Sequence, residues 1–218
     1  MMKKFAVLAF AILLGAAAVA QEARLGVRAG LGLASQRVER VIAIDTKSRI
    51  SWQIGGEAEV VIDNMISVRP ALLLTSRGTR IEDSNFGIDY HVRFRPLYLH
   101  VPVPLVTRMD IGGMNVFGGL GPYFSFGLGG RIVTDGDVDI VGWDFEGDES
   151  IDWGNENSDR YRSLDAGLVF TTGIERNGVQ FALTYDLGLA NIAPNGDSDN
   201  IIRNRAFSLT TTYLLPLQ

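Results

Sequence analysis

Ten acidic residues lie between positions 135 and 159, and no basic residue separates them before Arg160. Within this segment, Asp135, Asp137 and Asp139 place carboxylate oxygens at alternate positions, a donor set that Ca²⁺ favours. The spacing is not that of an EF-hand loop, which needs a glycine and a later bidentate glutamate. The sequence therefore predicts a candidate calcium site at these three aspartates. The alternatives are a loop that binds a basic or sugar-bearing partner and a loop that charge merely keeps solvated. The ten acids are Asp135, Asp137, Asp139, Asp144, Glu146, Asp148, Glu149, Asp152, Glu156 and Asp159.

Nucleophiles and metal ligands of other kinds are scarce. The chain has no cysteine and only two histidines, His91 and His100. Disulfides, thiolate metal sites and cysteine nucleophiles are therefore excluded. A proton relay at His91, beside Asp89 and Tyr90, is conceivable, but a single histidine near a loop is far more often an ordinary polar residue. We expect no enzymatic activity and, apart from calcium at the acidic segment, no cofactor.

The overall charge also narrows the classes of partner. The chain carries 20 lysines and arginines against 25 acids, a formal net charge of −5. A mildly acidic chain is a poor nucleic-acid binder, because the phosphate backbone attracts positive charge. We therefore expect no nucleic-acid partner.

The first twenty residues have the pattern of a secretory signal peptide. Two lysines precede an apolar stretch that begins at Phe5, and residues 18–20 (Ala-Val-Ala) form a small-x-small cleavage site. The alternative is an N-terminal membrane anchor, which needs roughly 20 apolar residues, more than this stretch offers. We expect residues 1–20 to be removed on export and residues 21–218 to form one mature domain.

Eight segments of the mature chain alternate between apolar and polar residues, which is typical of β-strands with two different faces. Between Val179 and Leu189, for example, apolar residues occupy every second position, and Gln180, Thr184 and Asp186 lie between them. The polar face carries charges in mid-strand, which suits a narrow barrel interior where opposite charges pair. The predicted interior charges are Arg28, Glu57, Glu59, Arg69, Asp165, Glu175 and Asp186.

The lengths of the connections alternate as well. Short connections follow the second, fourth and sixth segments, near Asp63, between Asp110 and Met114, and at residues 176–178. Long connections follow the other segments, and their predicted ranges are 36–50, 79–91, 132–161 and 190–204. Short turns on one side and long loops on the other are typical of outer-membrane barrels. The sequence therefore predicts an all-β fold: an eight-stranded antiparallel up-and-down transmembrane β-barrel.

Five short runs carry a resemblance to a known family. They are LGVRAGL at 25–31, VRPALLL at 68–74, YLHVPVPL at 98–105, GLGPY at 119–123 and LVFTTGIE at 168–175. Together they resemble the porin family, with its PorT-like outer-membrane β-barrel domain, over residues 22–217. The resemblance implies an eight-stranded barrel in the bacterial outer membrane and brings no catalytic residues to this chain. The chain departs from the family at His100, where a glutamate is usual.

Three roles are compatible with such a chain. The first is a barrel with a largely occluded polar lumen and long extracellular loops, which has a structural or interaction role in the outer membrane. The second is a narrow porin-like channel for small solutes or ions, although the bore of eight strands is just wide enough for side chains to fill. The third is a soluble periplasmic lipocalin-like binding barrel, whose apolar face would point inward.

The first role implies particular partners. We expect contact with outer-membrane lipids, and with the barrel-assembly machinery during biogenesis. We also expect an extracellular ligand of residues 135–159 and a monomeric state.

Overall fold

The computed structural model describes most of the chain after residue 22. The described ranges are 23–40, 46–83, 90–135, 138–140, 143–145, 148–154, 159, 161–194 and 200–215. The predicted signal peptide lies outside them. No helix within these ranges is long and apolar enough to span a membrane.

Strands account for most of the described structure, because the alternating segments pair with one another. Their bounds are β1 Ala23–Arg40, β2 Thr46–Val61, β3 Ile66–Val68, β4 Ala71–Ser76, β5 Thr79–Asp83, β6 Tyr90–Pro102, β7 Leu105–Asp110, β8 Asn115–Asp135, β9 Val138–Ile140, β10 Trp143–Phe145, β11 Asp148–Ser150, β12 Leu164–Arg176, β13 Val179–Gly188 and β14 Asn200–Leu214.

The sheet closes into a barrel, because β1 pairs with β2 on one side and with β14 on the other. Going round from β1, the second position is β2, the third is shared by β3, β4 and β5, and the fourth by β6 and β7. The remaining positions are β8, β12, β13 and β14, and every neighbouring pair is antiparallel. The predicted eight-stranded up-and-down barrel is confirmed.

Prolines interrupt two of the eight positions. The third is broken between Val68 and Ala71, around Pro70, and the fourth between Pro102 and Leu105, around Pro104. Proline cannot donate to a ladder, but its carbonyl still accepts. Accordingly, Ala58 N donates to Pro70 O at 2.9 Å, which keeps the barrel wall continuous.

The barrel wall is apolar outside and polar inside. Leu31, Leu183 and Leu209 are 67%, 44% and 58% exposed, whereas Glu59 is fully buried and Asp186 is 5% exposed. A soluble lipocalin-like barrel requires the opposite arrangement, with the apolar face inward. That alternative is therefore wrong for this chain, and the exposed apolar band fits a lipid environment.

The turns follow the predicted short connections, and the strands are longer than predicted. Asn177 and Gly178 have φ of 53° and 78°, as expected of a tight Asn-Gly hairpin turn. On the other side, β1 and β2 enter the predicted loop 36–50, and β8 with β9 to β11 occupies part of the predicted loop 132–161. The sequence pattern predicts that each strand ends where its outward apolar residues stop. Backbone pairing continues beyond that point, because polar side chains are acceptable where the wall leaves the membrane.

Candidate functional site

A cluster of charges fills the lumen near the short turns. Arg24 of β1 contacts Glu59 of β2 and also reaches across to Glu175 of β12, with Arg24 Nη1 2.5 Å from Glu175 Oε1. Arg69 lies 2.8 Å from Glu59 through its Nη2 atom and is 2% exposed. Gln180 Nε2 donates to Glu175 Oε2 at 2.8 Å. The cluster links both sides of the lumen.

A second ion pair lies one step further into the barrel. Arg28 contacts Glu57, and both side chains are buried. Arg28 Nε also donates to Thr212 Oγ1 of β14 at 3.4 Å, and Thr212 Oγ1 donates to Glu57 Oε2 at the same distance. The pair is therefore held by three consecutive positions of the wall: β2, β1 and β14.

A third cluster occupies the half of the lumen nearer the long connections. Arg77 Nη2 lies 2.6 Å from Asp186 Oδ2, and Asn204 Nδ2 donates to Asp165 Oδ2 at 3.0 Å. Tyr123 OH also donates to Asp165, at 3.3 Å. Buried charges are costly unless they are paired or hydrogen-bonded, and each of these charged groups has at least one such partner. Arg77 Nη1 and Asp165 Oδ1 are nevertheless buried without one.

The structure places all seven predicted interior charges inside the barrel. They are Arg28, Glu57, Glu59, Arg69, Asp165, Glu175 and Asp186. Two arginines of the network, Arg24 and Arg77, were missing from the predicted set. Arg77 continues the odd-numbered inward face of β4 after Thr75, and this periodicity was the signal that could have found it.

Ser125, His100 and Asp186 also come together in the third cluster. His100 Nδ1 shares a 2.8 Å hydrogen bond with Ser125 Oγ, and His100 Nε2 lies 3.6 Å from Asp186 Oδ2. These are the residue types of a hydrolase triad. However, the Asp186 contact exceeds hydrogen-bond length, and its carboxylate is held by Arg77. Ser125 is fully buried, so in this conformation no substrate can reach its hydroxyl.

An apolar cap lies above this cluster, at the end of the barrel with the long connections. Trp153 packs edge-on against Tyr98, with ring centroids 5.1 Å apart, and covers the backbone of Gly127. We define the apolar cap as Phe94, Ile132, Ile151, Trp153, Tyr161, Ile192, Ala193 and Ile202, together with Val38. The cap covers the polar lumen at its outer mouth.

Comparison with known proteins identifies the family. Residues 19–193 match the family described as "Outer membrane protein beta-barrel domain". The chain belongs to this family. A search of curated proteins gave no match. As an outer membrane β-barrel domain protein, the molecule resides in the bacterial outer membrane. The finer resemblance to PorT-like porins stays a prediction.

Solved structures of other outer-membrane proteins resemble this outer membrane β-barrel domain protein. Ail of Yersinia pestis, in a complex with the heparin analogue sucrose octasulfate, is 16% identical, with 89% of this chain and 100% of that chain covered and a TM-score of 0.44. Neisserial surface protein A is 14% identical, with 88% and 99% covered and a TM-score of 0.43. OprG of Pseudomonas aeruginosa is 12% identical, with 91% and 98% covered and a TM-score of 0.44.

Two predicted features of this outer membrane β-barrel domain protein concern side chains outside the described part of the structure. They are the calcium candidate at Asp135, Asp137 and Asp139, and the conceivable relay at His91. Both stay predictions. Among the described residues there is no group of three metal-ligating side chains.

Proposed function

We propose that the protein is a closed barrel that holds its extracellular connections at the cell surface, with a structural or interaction role and without catalysis. The observation that carries this proposal is the pairing of Arg77 with Asp186 across the lumen. Because the two residues belong to diametrically opposite positions of the wall, their contact spans the full width of the bore.

The other clusters support the same proposal. Arg24 bridges Glu59 and Glu175, so charged side chains also cross the lumen near the short turns. At the opposite end, the apolar cap covers the mouth with side chains such as Ile192, which is fully buried. A solute would have to displace paired charges at two levels and an apolar cluster at a third.

The channel alternative predicts a different result when the conductance of the protein is measured. We expect the purified protein to show no discrete conductance steps in planar lipid bilayers, whereas a 16- to 18-stranded porin, which has an aqueous channel, serves as the positive control. Heat-modifiable migration on a gel would verify that the inserted protein is folded. Reproducible steps from the folded wild-type protein would overturn the closed-barrel proposal.

The interaction role calls for a separate experiment. Replacing residues 136–147 with a glycine-serine linker of equal length removes four of the ten acids and leaves the described barrel wall intact. We expect this variant to keep its heat-modifiable migration and to lose binding to basic proteins or immobilised glycans that retain the wild type. Equal retention of both proteins on every surface tested would remove this segment from the proposal.

A further inference from the structure

Two arginines face each other on the outer surface of the wall. Arg95 of β6 pairs directly with Arg131 of β8, and both side chains are exposed. Like charges directly opposite each other in a sheet are destabilising. Among the described side chains, neither arginine has an ion-pair or hydrogen-bond partner. Within the described part of the structure, the charges of Arg95 and Arg131 are therefore not balanced by acidic partners, unlike the charges in the lumen.

A bulge places Arg131 on the outer surface. Tyr98 pairs with Gly127 but Leu97 pairs with Gly129, so Leu128 is an extra residue in β8. Because side chains alternate between the two faces of a strand, one extra residue reverses the face of everything beyond it. Without the bulge, Arg131 would continue the odd-numbered lumen face of Tyr123 instead of lying opposite Arg95.

More positive charge surrounds this pair. Arg93 lies opposite Arg80 on the same outer face. Arg80 and Arg93 have other contacts. The residues left to hold an anion are therefore Arg95 and Arg131, which we call the arginine site.

The arginine site lies just beyond the apolar band, on the side of the long connections. Leu128, which is 44% exposed, precedes Arg131 by three residues. The band meets lipid acyl chains, so charges at its upper edge lie at the level of the outer-leaflet headgroups. The opposite rim of the barrel faces the periplasmic leaflet.

We propose that the arginine site binds the phosphate of an outer-leaflet lipid headgroup. Guanidinium groups bind phosphate through paired, charge-assisted hydrogen bonds, and one phosphate between Arg95 and Arg131 would turn their repulsion into two attractions. The lipid's acyl chains lie against Leu128 below it. A soluble anion has no such apolar contact, and this difference favours a lipid as the occupant.

The test compares lipids with and without phosphate. The wild type, the double variant R95Q/R131Q and the control R176Q are titrated in detergent with diphosphorylated lipid A and with the same lipid after dephosphorylation. Bound lipid is counted by native mass spectrometry. Arg176 is a matched control because it is an exposed arginine at the opposite rim. We expect at least about tenfold weaker binding of the phosphorylated lipid by the double variant, and wild-type binding by the control.

Several results would overturn the proposal. One is equal binding of phosphorylated lipid A by the wild type and R95Q/R131Q. Another is equal affinity of the wild type for both lipids. A third is binding that appears only after the acids of residues 144–149 are replaced by amides, since this chain's own carboxylates would then occupy the site. Heparin and inorganic phosphate test for soluble anions, and retention of heparin but not of lipid A would also contradict the proposal.

Loss of heat-modifiable migration would show that the double variant does not fold. In that case the single variants R95Q and R131Q are titrated with the two lipids instead.

Discussion

Arg77 and Asp186 are 109 residues apart in the sequence and meet across the lumen, with Arg77 Nη2 2.6 Å from Asp186 Oδ2. Arg77 lies between β4 and β5, and Asp186 belongs to β13 on the opposite wall. Their side chains are 3% and 8% exposed. The contact therefore joins distant parts of the barrel through two buried charges, and each charge depends on the other for compensation.

Removing one member of this pair should destabilise the barrel strongly. We expect Arg77→Met to lower the free energy of unfolding by about 3–5 kcal/mol, because Asp186 is left as a buried charge without its cation. Urea unfolding of the detergent-solubilised protein, followed by the loss of heat-modifiable migration, measures the change.

The double variant R77M/D186L is the control for this prediction. It removes both charges, and replacing a whole buried ion pair by apolar residues is often close to neutral. We therefore expect it to recover most of the lost stability. A double variant as unstable as Arg77→Met would show that the charge imbalance is not the cause.

A charge on the lipid-facing surface should be costly in a different way. Leu183 is 44% exposed in the middle of β13. We expect Leu183→Arg to cost about 2–4 kcal/mol in a bilayer, since arginine near the midplane of a barrel's lipid face is unfavourable. Leu183→Ala controls for the loss of the leucine itself. Reversible folding into lipid vesicles gives both values, and equal stability of the two variants would place Leu183 outside the membrane.

Much of this fold can be predicted from the sequence, because a barrel wall between lipid and a polar lumen imposes a strict two-residue period. The period identified the exposed face of Leu183 and the buried face of Asp186. The two-residue period could not identify Arg131 as outward, because the bulge at Leu128 depends on pairing with β6. The predicted third segment also stops at Thr75, and it therefore leaves out the next inward residue, Arg77.

The apolar cap was beyond sequence prediction for another reason. Trp153 and Ile192 come from separate connections, and each connection by itself has no periodic pattern. They become a cluster only when the closed barrel brings the ends of β12, β13 and β14 together. Contacts of this kind depend on the fold as a whole and leave no local signal.

Trp153 should control access to the lumen from outside. The chain has no cysteine, so Ser125→Cys introduces a single thiol beneath the apolar cap. We expect slow labelling of that thiol by a water-soluble thiosulfonate reagent, and much faster labelling after Trp153→Ala, which removes the ring over Gly127. The same truncation should cost about 3 kcal/mol of stability.

Asn64→Cys is the matched control for labelling, because Asn64 is exposed in a short turn at the end of the barrel opposite the apolar cap. Its rate, measured in detergent, should not change when Trp153 is truncated. If Ser125→Cys is labelled equally fast with and without Trp153, the cap does not close the lumen.

Ser125 itself should be unreactive despite its contact with His100. A serine nucleophile needs a base, an oriented acid and a path for the substrate. Ser125 has the first, at 2.8 Å, but Asp186 is engaged by Arg77 and the hydroxyl is fully buried. We expect no labelling of the folded wild-type protein by a fluorophosphonate probe, and no difference between the wild type and Ser125→Ala. Stoichiometric labelling that disappears in both Ser125→Ala and His100→Ala would show that the cap opens to admit substrate, and would make the lumen an active site.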